Sequence, residues 1–270
     1  MFQLLLPAFN PNFIALGPLR IRWYSMAYIC GVAIGYKMIS HLDKKYRLGL
    51  EIISFYDDFI FYMVLGIICG GRIGYVLFYE IGYFLANPLT IFFLWRGGMS
   101  FHGGFLGVFV AALFLAKKYK LDKLLVFDLL AVASPAGIFL GRMANFINLE
   151  LYGRPTKLPW GMVFPTADNL ARHPSQLYEA FFEGVVILAV MLWLTKTKQF
   201  RMRGLNSGVF LILYSLSRIF LETLREPNFR FDGALRWVTM GQILSIPLLL
   251  GGIILLCNRK IVASPTFDGG

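Results

Sequence analysis

The chain has 270 residues, 57% of them hydrophobic and only 15% charged, with mean hydropathy +0.64 and net charge +11. Soluble domains carry about 25% charged residues. This composition therefore excludes disorder, a disulfide scaffold and an ordinary soluble enzyme, and it points to a protein surface that faces lipid.

Residues 1–17 are apolar but interrupted by Pro7 and Pro11, and no basic stretch precedes them. They read as an interfacial or re-entrant stretch, not as a cleavable signal peptide. Hydropathy then predicts seven helices, at 21–39, 58–78, 99–116, 126–146, 176–195, 207–224 and 239–257. Each is close to the ~20 residues that cross a bilayer. The run 88–95 is too short to cross and is expected at the interface. The predicted fold is an all-α, polytopic membrane protein in one domain over 1–270, with a small periplasmic lobe at 149–175. The three cysteines, Cys30, Cys69 and Cys257, sit singly in apolar runs and are expected to be buried.

Basic residues orient this bundle. Lys37, Lys44, Lys45 and Arg47 follow the first span, Lys117, Lys118, Lys120 and Lys123 the third, Lys196, Lys198, Arg201 and Arg203 the fifth, and Arg259 and Lys260 the seventh. The positive-inside rule makes their side cytoplasmic, with the N-terminus outside and the C-terminus inside. The net positive charge is thus anchoring charge and calls for no nucleic-acid partner. Of eleven lysines only Lys157 falls outside, whereas arginines persist there: Arg20, Arg22, Arg96, Arg142, Arg154, Arg172, Arg225, Arg230 and Arg236. Snorkelling and structural ion pairs are one explanation. Binding of phosphate or carboxylate by the planar guanidinium fork is the other.

Polar groups inside the spans collect at the outer ends. Arg142, Asn145 and Asn148 recur at spacing three, and Tyr214, Arg218, Glu222 and Arg225 at four, four and three, so each set shares a helix face. Glu183 lies one turn beyond Glu179, Arg72 sits in the outer half of the second span, and Gln242 begins the seventh. Such a one-sided distribution does not fit a relay strung through the midplane; it fits a reaction on lipid at the outer leaflet. Arg142 and Arg218 are the candidate phosphate clamp, although Arg218 and Glu222 at i and i+4 also read as a simple ion pair. His102, the only histidine within a predicted span, is the candidate general base, with His173 its rival and a structural histidine the alternative. No metal-ligand cluster, nucleophile elbow or phosphate-binding loop is present, so no metal or cofactor is expected.

These motifs resemble those of the bacterial prolipoprotein diacylglyceryl transferases. The resemblance rests on Arg22-Trp23-Tyr24, Gly70-Gly71-Arg72-Ile73-Gly74-Tyr75, Met99-Ser100-Phe101-His102-Gly103-Gly104, Gly141-Arg142-x-x-Asn145-Phe146-Ile147-Asn148, Arg172-His173-Pro174-Ser175-Gln176-Leu177-Tyr178-Glu179, Arg218-x-x-x-Glu222 and Met240-Gly241-Gln242, in that order along nearly the whole chain. The likeness implies transfer of a diacylglyceryl group from phosphatidylglycerol to the lipobox cysteine of a prolipoprotein signal peptide at the bacterial inner membrane. It implies catalytic roles for His102, Arg142 and Arg218. Substrate contacts are expected from Tyr24, Arg72, Asn145, Asn148, Glu150, Gly153, His173, Tyr214 and Glu222. The segment 151–171 is short against the lobe of some relatives. An anionic-lipid transporter and a non-enzymatic lipid-binding scaffold are the competing readings.

Overall fold

A computed structural model describes residues 4–7, 10, 12–16, 19–50, 53–94, 97–197, 202–226, 238–258, 260 and 261, with side chains omitted at 4, 15, 16, 19–21, 53, 101, 102, 260 and 261. The chain forms two compact units, 1–39 together with 128–270, and 40–127.

Helices occupy all seven predicted segments: α1 Trp23–Tyr46, α2 Ile53–Phe78, α4 Phe101–Lys118, α5 Lys123–Ile147, α6 Ser175–Leu194, α7 Leu205–Leu221 and α8 Met240–Cys257. Between α2 and α4 come the short α3, Ile81–Ala86, and a 3-10 turn at Pro88–Phe92. Ser54–Phe78, Lys123–Ile147, Ser175–Leu194 and Met240–Cys257 are long and apolar enough to cross a membrane. Large apolar side chains point outward from these rods: Phe78 is 75% exposed, Phe61 58% and Ile254 58%. Gln176, Glu179 and Glu183 are fully buried. Apolar groups outside and ionised groups inside are what lipid demands, because an unpaired charge in hydrocarbon is expensive.

The expected all-α architecture is supplemented by short strands. In the N-terminal stretch, β2 (Asn12–Leu16) pairs antiparallel with β3 (Leu19–Arg22), and β1 (Leu4–Leu5) runs parallel to β4 (Met162–Val163), which pairs with β5 (Ala171–Arg172). The stretch expected at the interface or re-entrant thus carries β-structure, with 12–16 paired to 19–22. Alternation in Leu19-Arg20-Ile21-Arg22 is a strand pattern, which is also why α1 begins at Trp23 and not at 21. A last pair, β6 (Met202–Arg203) with β7 (Lys260–Ile261), is antiparallel.

Cys30, Cys69 and Cys257 are exposed on helix faces, which corrects the expectation of burial. On a lipid-facing surface a thiol is as well accommodated as in a core, so an apolar run alone does not separate the two positions.

In the unit 40–127, α2 and α4 meet along glycines. A methyl group on Gly66 would lie 2.6 Å from the Gly107 carbonyl oxygen, and one on Gly74 would lie 2.7 Å from the Gly103 Cα. Only small residues allow helices this close. In the other unit, Asp128 of α5 accepts hydrogen bonds from Gly204 N at 2.8 Å, Ser207 N at 2.8 Å and Ser207 Oγ at 2.7 Å. A carboxylate thereby satisfies the free N–H groups that start α7. Helix α8 opens with a reciprocal capping box between Thr239 and Gln242. Gln242 Nε2 also donates to the Ile219 carbonyl at 3.2 Å, joining α8 to α7.

Candidate active site

Within the unit formed by 1–39 and 128–270, α5, α6 and α7 bring five charged side chains together. Arg142 of α5 places Nη1 2.9 Å from Glu179 Oε2 and Nη2 3.1 Å from Glu183 Oε2. Arg218 of α7 places Nη1 2.9 Å from Glu179 Oε1 and 3.4 Å from Glu183 Oε1, and Nη2 2.5 Å from Glu222 Oε2. A sixth member, Arg225, lies 3.5 Å from Glu179 Oε1. Glu179 and Glu183 each bridge Arg142 and Arg218. Three guanidiniums thus face three carboxylates, a balance that makes burial tolerable. Arg218 and Glu222 form the ion pair that their i, i+4 spacing offers, and Arg218 shares Glu179 and Glu183 with Arg142.

Local structure explains the convergence. Residues 180–186 of α6 are π-helical. Glu179 and Glu183, one turn apart, face the same side. Gly184 lets α5 press in: a methyl there would sit 2.7 Å from Phe139 Cβ. A π segment inside a helix often marks a functional site. On α7, Tyr214 stacks on Phe210 with ring centres 5.8 Å apart, on the same face as Arg218. Against Glu222, Gly241 leaves no room for a side chain, its added methyl falling 2.7 Å from the carboxyl carbon.

One turn beyond Arg142 lies a second, amide-rich group. Asn145 Nδ2 and Asn148 Nδ2 each donate to Glu150 Oε1 at 3.3 Å, and Asn145 also contacts the Tyr24 hydroxyl. Leu149 and Leu151, which bracket Glu150, have φ of 57° and 58°. This left-handed backbone costs an ordinary residue about 1–2 kcal/mol. Three side chains hold it: Thr166 Oγ1 donates to Leu149 O at 2.7 Å, Gln176 Nε2 to Glu150 O at 2.6 Å, and Ser175 Oγ to Leu151 O at 2.9 Å. Backbone strain fixed this firmly is characteristic of functional sites. Among the described residues, Asn148 Oδ1 and Gln176 Oε1 are buried acceptors without a hydrogen-bond partner.

Gly153 ties this group to the ion cluster. Its N–H donates to His173 O at 2.9 Å, and it bridges Arg225 in antiparallel fashion. His173 sits before α6 with Nδ1 3.4 Å from the Tyr178 hydroxyl, and burial pushes its pKa down. The outer arginines of the lobe are structural. Arg154 Nε donates to Arg225 O at 3.0 Å, and Arg172 binds Asp168, Glu226 and the Gly153 carbonyl at 2.7–3.1 Å. Hydrogen bonding raises the Arg172 pKa and lowers that of Asp168.

Arg72, expected as a substrate contact, is held by backbone carbonyls. In the unit 40–127 its guanidinium donates to the carbonyls of Ile91 (2.8 Å), Gly97 (2.5 Å), Gly98 (3.0 Å), Thr90 (2.8 Å) and Phe93 (3.5 Å), and it lies over the Phe84 ring at 5.1 Å. Five N–H groups meet five carbonyls, so the side chain organises the 90–98 loop and has no donor left for a phosphate. The same loop is pinned by Ser100 N donating to Gly71 O at 2.8 Å. His102 follows as the second residue of α4, whose N-cap is Ser100; its side chain lies outside the described residues, as do Arg96, Arg230 and Arg236.

Sequence reasoning noticed Glu179 and Glu183 but gave them no role. The signal was available: two carboxylates four residues apart in an apolar span require counter-ions within reach.

Together these features define a polytopic membrane protein with a buried arginine–glutamate cluster at helix ends and an amide-rich group beside it. The chain belongs to the prolipoprotein diacylglyceryl transferase family, which it matches over residues 11–258. It is 47% identical over 255 residues to the phosphatidylglycerol–prolipoprotein diacylglyceryl transferase of Rickettsia felis, covering 94% of this chain and 98% of that one. Similarity to the enzyme of the same name from Nitrosomonas europaea is 49% over 251 residues, covering 93% and 90%.

Proposed function

We propose that this chain transfers the diacylglyceryl group of phosphatidylglycerol to the lipobox cysteine thiol of a prolipoprotein, releasing glycerol phosphate. Both substrates are held by membrane lipid, and neither nucleic acid nor a cofactor enters the reading. The observation that carries it is the convergence of Arg142 and Arg218, from separate helices, in a member of this family.

The chemistry follows from what breaks. The thiolate attacks the glyceryl carbon, the carbon–oxygen bond to phosphate breaks, and negative charge grows on the departing phosphate. Guanidiniums directed at that oxygen stabilise the transition state more than the diester. The thiol needs a base, a role we give to His102, with His173 the rival. Glu150, with the unpartnered Asn148 Oδ1, offers acceptors suited to the glycerol hydroxyls; Asn145 and Tyr24 set its orientation. Gly153 and His173 fix the segment that carries Arg225, while Tyr214 and Glu222 flank Arg218.

In this reading seven spans place the 149–175 lobe in the periplasm, with the N-terminus outside and the C-terminus in the cytoplasm of a bacterial inner membrane. Lysine placement supports it. Arg142→Lys and Arg218→Lys test the clamp. Each keeps charge but loses the bidentate fork, so turnover should fall on the order of 10²-fold at normal levels of folded protein. Near-normal turnover in both would reject it.

A further inference from the structure

The guanidiniums assigned to the substrate phosphate are already occupied. Both terminal nitrogens of Arg142 face carboxylates, and so do both of Arg218. Glu179 and Glu183 have no solvent exposure, while Arg142 retains 15% side-chain exposure and Arg218 10%. The fit is incomplete at one point. Glu179 Oε2 stands 2.9 Å from Arg142 Nη1 yet makes no aligned hydrogen bond. A guanidinium has five donors, so each arginine keeps N–H groups that a further oxyanion can reach.

A phosphate entering this cluster therefore meets arginines whose charge is already balanced. Two consequences follow. The carboxylates hold the forks in one orientation before substrate arrives, which is preorganisation. They also weaken the grip of the arginines on any incoming anion, because two anions now share each cation. A cluster without them would hold a phosphate monoester tightly. That group is the product released here, and a tightly held product limits turnover.

We propose that Glu179 and Glu183 are positioning residues that act as resident anions: they orient Arg142 and Arg218 and lower their affinity for phosphate so that the product leaves. The proposal rests on the assignment of phosphate to these arginines. Its distinguishing feature is the sign of the effect. Removing an ordinary structural ion pair loosens a site, whereas removing a competing anion tightens it.

The test uses the full-length protein in phosphatidylglycerol nanodiscs, with glycerol phosphate as the soluble probe. Glu183→Gln and Glu179→Gln keep shape and a hydrogen-bonding oxygen but remove the charge. Each should strengthen glycerol phosphate binding, read both calorimetrically and as product inhibition, on the order of tenfold. Turnover should fall and become limited by product release. Glu183→Asp keeps the charge and should stay within about threefold of the parent affinity. Unchanged or weaker binding in both glutamine variants, folded as judged by thermal unfolding, overturns the proposal. Infrared difference spectra of the unmodified protein give a second readout that needs no variant. Glycerol phosphate should shift the carboxylate stretching bands as the arginines are shared, and flat spectra at saturating ligand would overturn it. The underlying assignment fails separately: Arg142→Lys and Arg218→Lys that both bind glycerol phosphate normally refute the clamp itself. Weakened binding in those variants, with no tightening in the glutamine ones, refutes only the role of the carboxylates.

Discussion

Replacing Arg72 with lysine separates its two possible roles. The guanidinium places five N–H groups on the carbonyls of Thr90, Ile91, Phe93, Gly97 and Gly98. Lysine offers three donors at a single point and cannot span carbonyls that surround a planar fork. At least two bonds from a cation are lost; with the weak one at 3.5 Å discounted, the remaining bond makes the loss about 1.5–3 kcal/mol. The two left-handed glycines, with φ of 80° and 85°, then lose the anchor that fixes their carbonyls. The expected result is a thermal midpoint lower by several degrees and faster proteolysis within 88–98. Equilibrium affinity for phosphatidylglycerol should stay within about twofold of the parent, because no donor of Arg72 is free for phosphate. Differential scanning fluorimetry in detergent, limited proteolysis and lipid titration measure these three quantities. A variant with unchanged stability and strongly weakened lipid binding would refute the loop-organising role.

Two further outcomes follow from the lobe. Gly153→Ala sets a methyl group 2.6 Å from His173 Cβ and 2.7 Å from the carbonyl oxygens of His173 and Leu224. The segment carrying Arg225 must shift, so stability should fall by about 1–3 kcal/mol and turnover with it; unaltered unfolding and turnover would show that the contact is slack. His173 has a pKa below the usual histidine value because burial penalises its cation. The folded state resists protonation, so its contribution is complete above about pH 6.5 and is lost as pH falls from there toward the depressed folded-state value. Thermal midpoints at pH 7.5 and 5.5 should therefore differ less in His173→Gln than in the parent, and an equal difference would reject this origin.

The helices were legible because lipid imposes a simple rule of about twenty apolar residues per crossing. Their ends moved by a few residues where capping chemistry or a preceding strand decided, as at Trp23 and Thr239. The stripes placed Arg142 and Asn145 on one face of α5, and Tyr214 and Arg218 on one face of α7, since helical periodicity is a local property; Asn148 follows the end of α5, and Arg225 lies beyond α7 in a β-bridge with Gly153. Partnership between helices was not legible. Nothing in the spacing of Arg72 distinguishes a phosphate ligand from a cation caged by carbonyls, because those carbonyls belong to a loop about twenty residues away. The left-handed backbone at Leu149 and Leu151 is invisible too, since leucine is not a residue that advertises positive φ. The cysteines show the same limit from another direction, because an apolar run reads alike facing lipid and facing protein.

The central claim concerns coupled chemistry at the phosphate. Purified protein supplied with phosphatidylglycerol and a lipobox peptide should release one glycerol phosphate for each thioether formed. A peptide with serine in place of the lipobox cysteine should release none. Lipid movement across the bilayer without glycerol phosphate, or release that ignores the thiol, would contradict the transferase account.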